Sequence, residues 1–463
     1  MLNIKKINFE LLNKFLFPVF SLYFIFIVSS TLPNFYPMFI DSGTYAYVAS
    51  QINKGKSLYR DVFEIKLPGI YYIYAFIFKI FPDTRWSLYI VDILVTISIF
   101  LLIFRILKNF NLEKFFWAFS IFFLTSYRVF PSYCDGNLNE HWYLFFYLVF
   151  FYCITSEESK FKKLLAGFSM AINFFFKQNL LLLTLILIII FWKKIKNVYF
   201  FFGFIPIFIF FSFIILKNIP ESIRAILIFP LQRSGGEKIP LFVKLKNSFI
   251  YGPLFQFFTL SIFAIVKKGE WGYLEKHLLY EIIILLIIVF TLPLFYFHYL
   301  IILLVIFVRC FIIIAKKYPE YIILFLLFIL TISPAKFIKI RFKHSIKALK
   351  LTFIEKDLRI AAPPMTFTII HHIKENEKFI MIPSYPEIYF LTKTESPYRF
   401  FIIDDIVARF FKNEFIEMIR KNPPSYVYLE KNISYFENIF NLNKNEYIIE
   451  KVDENFYKFK LIK

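Results

Sequence analysis

Apolar runs recur along most of the chain, near residues 15–32, 67–82, 86–104, 115–131, 141–155, 163–176, 180–192, 198–216, 249–266, 278–296, 299–315 and 320–333. Several fall short of the ~20 residues that a straight membrane span needs, so their boundaries are soft. Their repetition still predicts a bundle of membrane helices. Basic clusters punctuate the runs: Arg105/Lys108/Lys114, Lys160/Lys162/Lys163, Lys193/Lys194/Lys196, Lys267/Lys268/Lys276 and Lys316/Lys317. If every run crosses, all of these clusters fall outside, against the tendency of Lys and Arg to stay on the cytoplasmic side. If the run 67–82, short and opened by Pro68-Gly69, only lies along the membrane or dips into it, they all move inside. The pattern therefore predicts about eleven spans plus one juxtamembrane or re-entrant helix near 67–82. Asp41, Glu140, Lys177 and His298 then share the outer face. The segment 217–248 resists this order, because it places Lys217, Arg224, Arg233, Lys238, Lys244 and Lys246 outside. Long loops follow the charge bias only weakly, and a phosphate-bearing substrate would use those charges.

After Pro334 the pattern changes. Residues 336–463 alternate short helical and strand-like stretches: helical at Thr368–Asn376 and Ile406–Lys421, strand-like at Lys378–Pro383, Ser425–Leu429, 446–451 and 455–461. The expected class is a polytopic α-helical membrane protein with a small C-terminal soluble α/β domain. The membrane part is residues 1–335 and the soluble part 336–463, outside the membrane by parity. The N-terminus, with Lys5, Lys6 and Lys14 before an apolar run, reads as a retained signal-anchor with its start in the cytoplasm.

Composition sharpens the class. The chain is 59% hydrophobic and 22% aromatic in 463 residues, with a mean hydropathy of +0.62. A soluble protein of this length would not be so apolar. The formal net charge of +21 is spread over membrane loops, so nucleic-acid binding does not follow from it. Cys134, Cys153 and Cys310 show no paired spacing, which argues against a disulfide framework or a thiolate metal site.

Candidate chemistry gathers in the first polar loop. It runs from Ile40-Asp41-Ser42-Gly43-Thr44-Tyr45 through Gly55 and Tyr59-Arg60-Asp61 to Glu64-Ile65-Lys66-Leu67-Pro68-Gly69. An acid where a membrane helix emerges is costly unless it has a task. Asp41 is a base candidate beside a turn at Ser42-Gly43. Arg60 and Lys66 are cations suited to a phosphate, Arg as a fork and Lys as a point charge. Asp61 and Glu64 either support them or simply pair with them. Glu140 at the head of a span is a second acid, and Lys177 interrupts a hydrophobic pair. His371-His372 read as surface residues and Asp404-Asp405 as a solvated turn. No Gly-rich phosphate loop is present, and Gly235-Gly236 reads only as a turn.

The first-loop pattern Asp41-Ser42-Gly43-Thr44-Tyr45, Gly55-x-x-x-Tyr59-Arg60-Asp61, Lys66-x-Pro68 resembles the GT-C glycosyltransferases. Within them it is similar to the branch of protein O-mannosyltransferases and the lipid A aminoarabinose transferase. Asn139-Glu140, Lys177-Gln178, Phe297-His298-Tyr299, Pro386-Glu387-Ile388-Tyr389-Phe390 and Tyr398-Arg399-Phe400 agree in order. The resemblance implies a GT-C-like fold and an inverting transfer of a hexosyl or pentosyl group from a polyprenyl-phosphate donor at the outer face. The acceptor would be a glycan, lipid or protein. By that resemblance Asp41 is the general base and Glu140 the second acidic position. Arg60, Lys66, His298 and Tyr299 would contact the donor and its phosphate, with Asp61, Glu64 and Lys177 in support. No cofactor is required and a divalent cation stays open. The location implied is the cytoplasmic membrane, multi-pass, with the C-terminal domain extracytoplasmic.

Two other classes compete. A transporter or flippase of lipid-linked saccharide would carry charges deep in its spans, often in broken helices. A polymerase or ligase would use the same donor but lacks a reason for the Asp-x-Gly-x-Tyr loop. Charges near one membrane face and an appended α/β domain favour the transferase.

Overall fold

The structure is a computed structural model. It describes residues 9–230, 240–251, 297–319, 335–357, 359–361, 367–370, 377–382, 385–402, 411–430, 447–451 and 456–461, with isolated residues between. The run expected at 320–333 and most of those at 249–266 and 278–296 lie outside this set, as do His371-His372, Asp404-Asp405 and Gly235-Gly236.

By packing, the chain divides into two compact units. The first combines residues 1–36, 89–212 and 234–358; the second combines 37–88, 213–233 and 359–463. The boundary expected at 335/336 divides membrane from solvent, whereas packing joins the first polar loop to the C-terminal residues.

The first unit is helical. It contains α1 (Phe9–Ser29), most of α4 (Arg85–Asn109), α5 (Phe116–Leu124), α6 (Asn139–Thr155), α7 (Lys160–Phe174), α8 (Gln178–Ile190), α9 (Trp192–Ile195) and most of α10 (Val198–Lys217). It also holds α11 (Phe307–Lys317), entered through a 3₁₀ stretch at Phe297–Ile306, and α12 (Ala335–Leu349). Among the described residues, Glu10–Ser29, Arg85–Asn109, Val198–Lys217 and His298–Lys317 are long and apolar enough to cross a membrane. They differ in surroundings. Leu11, Phe15, Leu22 and Ile25 of α1 are exposed, as a lipid-facing helix requires. The segment His298–Lys317 is 94% buried, so it is a core rod, apolar on most of its circumference for that reason, with Arg309 buried within it. Between α7 and α10, a Cβ at Gly167 would run into the Phe200 carbonyl, and one at Gly203 into the Leu164 carbonyl. These paired glycines let two helices pack backbone to backbone, a small-residue contact typical of membrane bundles.

The second unit holds α2 (Ile40–Asn53), α3 (Gly69–Ile80), α13 (Pro386–Leu391), α14 (Lys412–Lys421) and a sheet of β1 (Phe379–Ile382), β2 (Tyr426–Glu430), β3 (Tyr447–Lys451) and β4 (Phe456–Leu461). At 1.5 Å per residue the 12-residue α3 is only ~18 Å long, short of a ~30 Å hydrocarbon core. The strand order is β1-β2-β4-β3, with β1 and β2 parallel and the other pairs antiparallel. A parallel pair needs a crossover, which α13 and α14 supply. All residues of β1 are buried, and its run Phe-Ile-Met-Ile is apolar on both faces accordingly.

Ser42-Gly43 is not a turn. Both residues lie within α2. A Cβ at Gly43 would collide with the Cα and Cβ of Glu387, so the glycine serves close packing of α2 on α13. The Tyr47 ring lies 5.3 Å from Tyr389 and 4.7 Å from Phe401, and its hydroxyl accepts the Ser396 amide at 2.9 Å. Phe63 donates its amide to the Arg399 carbonyl at 2.9 Å and packs on Phe400. The C-terminal motif residues therefore clasp the first polar loop.

Candidate active site

In the second unit, Asp41 stands in the first turn of α2. One helical turn on, Tyr45 shares its face. Lys66 closes the set: its Nζ lies 3.1 Å from Asp41 Oδ1 and donates to the Tyr45 hydroxyl at 2.8 Å, with the ammonium 4.5 Å above the Tyr45 ring. The Lys66 backbone is held by the Tyr59 hydroxyl, which donates to its carbonyl at 2.9 Å. Tyr59 is fully buried with φ 72°, the left-handed region, so packing pins a strained turn there. Asp41 and Lys66 remain part-exposed, at 28% and 14% of their side chains. A carboxylate and an ammonium are thus in reach of solvent on a rigid frame.

Sequence reasoning named Tyr45 only as part of the motif; its spacing of four from Asp41 was the available signal. The acids of the loop divide, and Lys66 takes Asp41. Glu64 is buried, and its Oε1 accepts the Ile65 amide at 2.7 Å. Arg60 does pair with Asp61, in a fork of 2.9 and 3.0 Å, and reaches the Ser57 hydroxyl. The Arg60 hydrogen bonds, helped by the Ser57 amide, hold the Asp61 carboxyl below its usual range. Arg60 itself is exposed and its guanidinium is correspondingly pushed up by Asp61.

In the first unit, Glu140, Lys177, His298 and Tyr299 come together. Glu140 opens α6, and its Oε1 accepts from Lys177 Nζ at 2.9 Å. Lys177 sits 3.6 Å above the Tyr299 ring, so it does not snorkel to solvent. The His298 and Tyr299 rings meet edge to face at 4.7 Å. Side-chain exposure of only 3% for Glu140 and 12% for Lys177 makes this pair costly to break. The turn entering α6 is fastened by the Leu138 amide, which donates to His141 Nδ1 at 3.3 Å.

A third polar set was missed. Asp92 of α4 pairs with Arg128 at 2.6 Å, both essentially buried. Arg128 also donates to Thr96 at 2.9 Å, its guanidinium lies 4.5 Å over the Tyr133 ring, and the Tyr133 hydroxyl donates to Asp92. Gly136, at φ 78°, packs against the Asp92 carboxylate where a Cβ would not fit. The signal was present: Asp92 and Arg128 are charges inside apolar runs, which need a partner.

Among the described residues, no group of three or more His, Cys, Asp or Glu stands together as a metal site.

No family model matches the sequence, and no curated protein matches it. Solved structures do. The structure of ArnT from Cupriavidus metallidurans bound to undecaprenyl phosphate aligns with a TM-score of 0.62 at 8% identity, covering 96% of this chain and 97% of that one. The chain resembles ArnT in fold. The apo structure of ArnT aligns likewise, with a TM-score of 0.59 at 10% identity over 95% of this chain and 97% of that one. The likeness to ArnT covers nearly the whole of both chains. The expected polytopic helical membrane fold is therefore the fold observed.

Proposed function

We propose that the chain is a membrane glycosyltransferase that moves a sugar from a polyprenyl-phosphate donor to a hydroxyl acceptor, with inversion at the sugar carbon. The observation that carries the reading is the Asp41–Lys66–Tyr45 set, on a fold shared with ArnT, a protein solved with undecaprenyl phosphate bound. Asp41 takes the acceptor hydroxyl proton. The oxygen attacks the anomeric carbon opposite the phosphate. The bond from that carbon to the phosphate oxygen breaks, and polyprenyl phosphate leaves with the bonding electrons. Lys66 meets the departing charge, releasing Asp41 from its ion pair as it does so. Arg60 is an outer phosphate ligand, exposed, with a fork that exchanges Asp61 for phosphate oxygens.

In the first unit, the same reading assigns donor contacts to His298 and Tyr299, a second acidic role to Glu140 and support to Lys177. The enzyme would work in the cytoplasmic membrane with its C-terminal residues extracytoplasmic.

A transporter would use a charge pair inside the spans, and Asp92–Arg128 is such a pair. Arg128 donates to Thr96 and Tyr133 donates to Asp92, so each member is held in place, which makes the pair a clamp and leaves the transferase reading ahead.

The test is release of sugar from a radiolabelled polyprenyl-phospho-sugar by purified protein in liposomes. Asp41→Asn keeps the shape and removes the proton acceptor. Transfer should fall by about 10²–10⁴-fold with donor binding retained. Near-normal transfer by Asp41→Asn, with loss in Glu140→Gln at equal folded fraction, would move the base to Glu140.

A further inference from the structure

In the first unit, α12 carries a one-sided stripe of charge. Lys336, Lys339, Lys343 and Lys347 follow one another at steps of three, four and four residues. At 3.6 residues per turn they fall within ~80° of one another around the helix. All four are exposed. No acid lies between residues 335 and 354, and among the described residues none of the four makes an ion pair. Lys350, next along the stripe, pairs with Glu355 at 3.2 Å and is left out of the argument. Like charges at three- and four-residue spacing destabilise a helix. A counter-charge outside the helix removes that cost.

The opposite face fixes where the stripe stands. Arg341, Ser345 and Ala348 are buried there. Arg341 donates through Nε to the Val129 carbonyl at 3.3 Å, and its guanidinium lies 5.3 Å over the Tyr36 ring. The Phe342 ring stacks on Phe26 at 4.6 Å, and the Ser345 hydroxyl shares a hydrogen bond with Ser29, the last residue of α1. Beyond it, Asn34 donates to the Thr352 hydroxyl at 3.0 Å. α1 is long and apolar enough to cross a membrane, and Ile25, next to Phe26, is exposed as a lipid-facing residue. The middle of α12 is therefore level with the end of a span, where headgroups lie. Ile340 and Ile346 are exposed and edge the stripe, one on each side, ~20° beyond the outermost lysines. A row of ammonium groups between aliphatic edges matches the boundary of phosphate headgroups and acyl chains. Lysine stems lie along such a boundary with their charged ends in the headgroup layer. An acidic polypeptide would meet the ammonium groups but leave the isoleucine edges unmatched.

We propose that this stripe holds anionic phospholipid at the membrane surface. The ammonium groups meet the phosphate oxygens, and Ile340 and Ile346 sit among the upper acyl carbons. The proposal stands apart from the transferase reading.

The test uses the full chain in phosphatidylcholine nanodiscs, with Cys134, Cys153 and Cys310 replaced and a bimane fluorophore on Ile346→Cys. Brominated phosphatidylglycerol should half-quench the probe at a mole fraction on the order of tenfold lower than brominated phosphatidylcholine does. Lys336→Gln/Lys339→Gln/Lys343→Gln/Lys347→Gln keeps good helix formers and should abolish that preference. The same four positions changed to Arg should keep it. Arg420→Gln/Lys421→Gln removes exposed charge elsewhere and should change it less than about threefold. Equal quenching by the two lipids, quenching by neither, or equal losses in the stripe and Arg420/Lys421 variants would overturn the proposal. If soluble polyglutamate shields the probe and neither lipid quenches it, the stripe docks an acidic polypeptide and the lipid assignment fails.

Discussion

At the scale of single residues, Lys66 is the most informative side chain of the second unit. It bridges Asp41 and Tyr45, and in the proposed reaction it turns to the donor phosphate. Lys66→Ala should weaken donor binding about 10- to 150-fold, the worth of a charge-assisted hydrogen bond of roughly 1.5–3 kcal/mol. Equilibrium binding of a polyprenyl-phosphate analogue reads this, and unchanged affinity in a folded variant removes Lys66 from the donor site. Glu140 behaves differently. Its carboxylate is only 3% exposed, so breaking its pair with Lys177 by Glu140→Gln should cost about 3–5 kcal/mol of stability. Asp41 is 28% exposed, and Asp41→Asn should cost much less. A thermal melt separates the two acids before any activity is measured.

At the scale of elements, the Asp92–Arg128–Tyr133 set binds the middle of α4 to the turn leading into α6. Asp92→Asn leaves the Arg128 guanidinium buried without its carboxylate, and about 3–5 kcal/mol of stability should go with it. Asp92→Asn/Arg128→Met should recover much of that loss, since removing both members of a buried pair is often near neutral. A double variant no more stable than Asp92→Asn would show that the pair is not a clamp. In the second unit, α2 is tied at its C-terminal end by Lys54 and Lys56, at 2.7 and 2.9 Å from Glu395. Their hydrogen bonds hold the Glu395 carboxyl below its ordinary 4.5. The folded state therefore binds this proton less readily than the unfolded one. The stabilisation is present above pH 4.5 and disappears as pH falls through the lowered value. All three side chains are part-exposed, so the effect is modest and screened by salt. Protection of the Ser396 amide, bonded to Tyr47, should fall in acid once its exchange is referred to the intrinsic rate at each pH, and Glu395→Gln should flatten that pH dependence. An unaltered acid profile in Glu395→Gln would remove Glu395 as the cause.

At the scale of the molecule, the parity of basic clusters predicts that residues 41–66 and 336–463 face outward and that Lys193, Lys194 and Lys196 face inward. Cys134, Cys153 and Cys310 are free thiols and would first be replaced. An impermeant maleimide should then label Lys54→Cys and Lys421→Cys in intact spheroplasts, and Lys193→Cys only after permeabilisation. Labelling of Lys193→Cys in intact spheroplasts would reverse the topology.

Much of this was legible in the chain. Apolar runs specify membrane helices because backbone polar groups in lipid must be satisfied within each segment. The strand patterns at 378–383, 425–429, 446–451 and 455–461 specify β1, β2, β3 and β4, whose residues alternate or bury on local grounds. Chemistry-bearing residues also stood out one by one, since a charge beside an apolar run is costly. Pairing did not. Whether Lys66 meets Asp41 or Glu64 depends on a tight turn at Tyr59 and on the pitch of α2, and neither shows in spacing. Gly43 looked like a turn because its neighbour Glu387 is more than three hundred residues away in sequence. Asp92 and Arg128 sit 36 residues apart in two apolar runs, and only helix packing brings them together. The sequence by itself determined the apolar helices and the strands, because that choice is made by local periodicity and burial, but not the helix Ile40–Asn53, whose polar residues read as loop and turn. Tertiary structure alone decided which charges neutralise which, because low dielectric makes a buried pair depend on ångström-scale distance between segments that the chain order leaves unrelated.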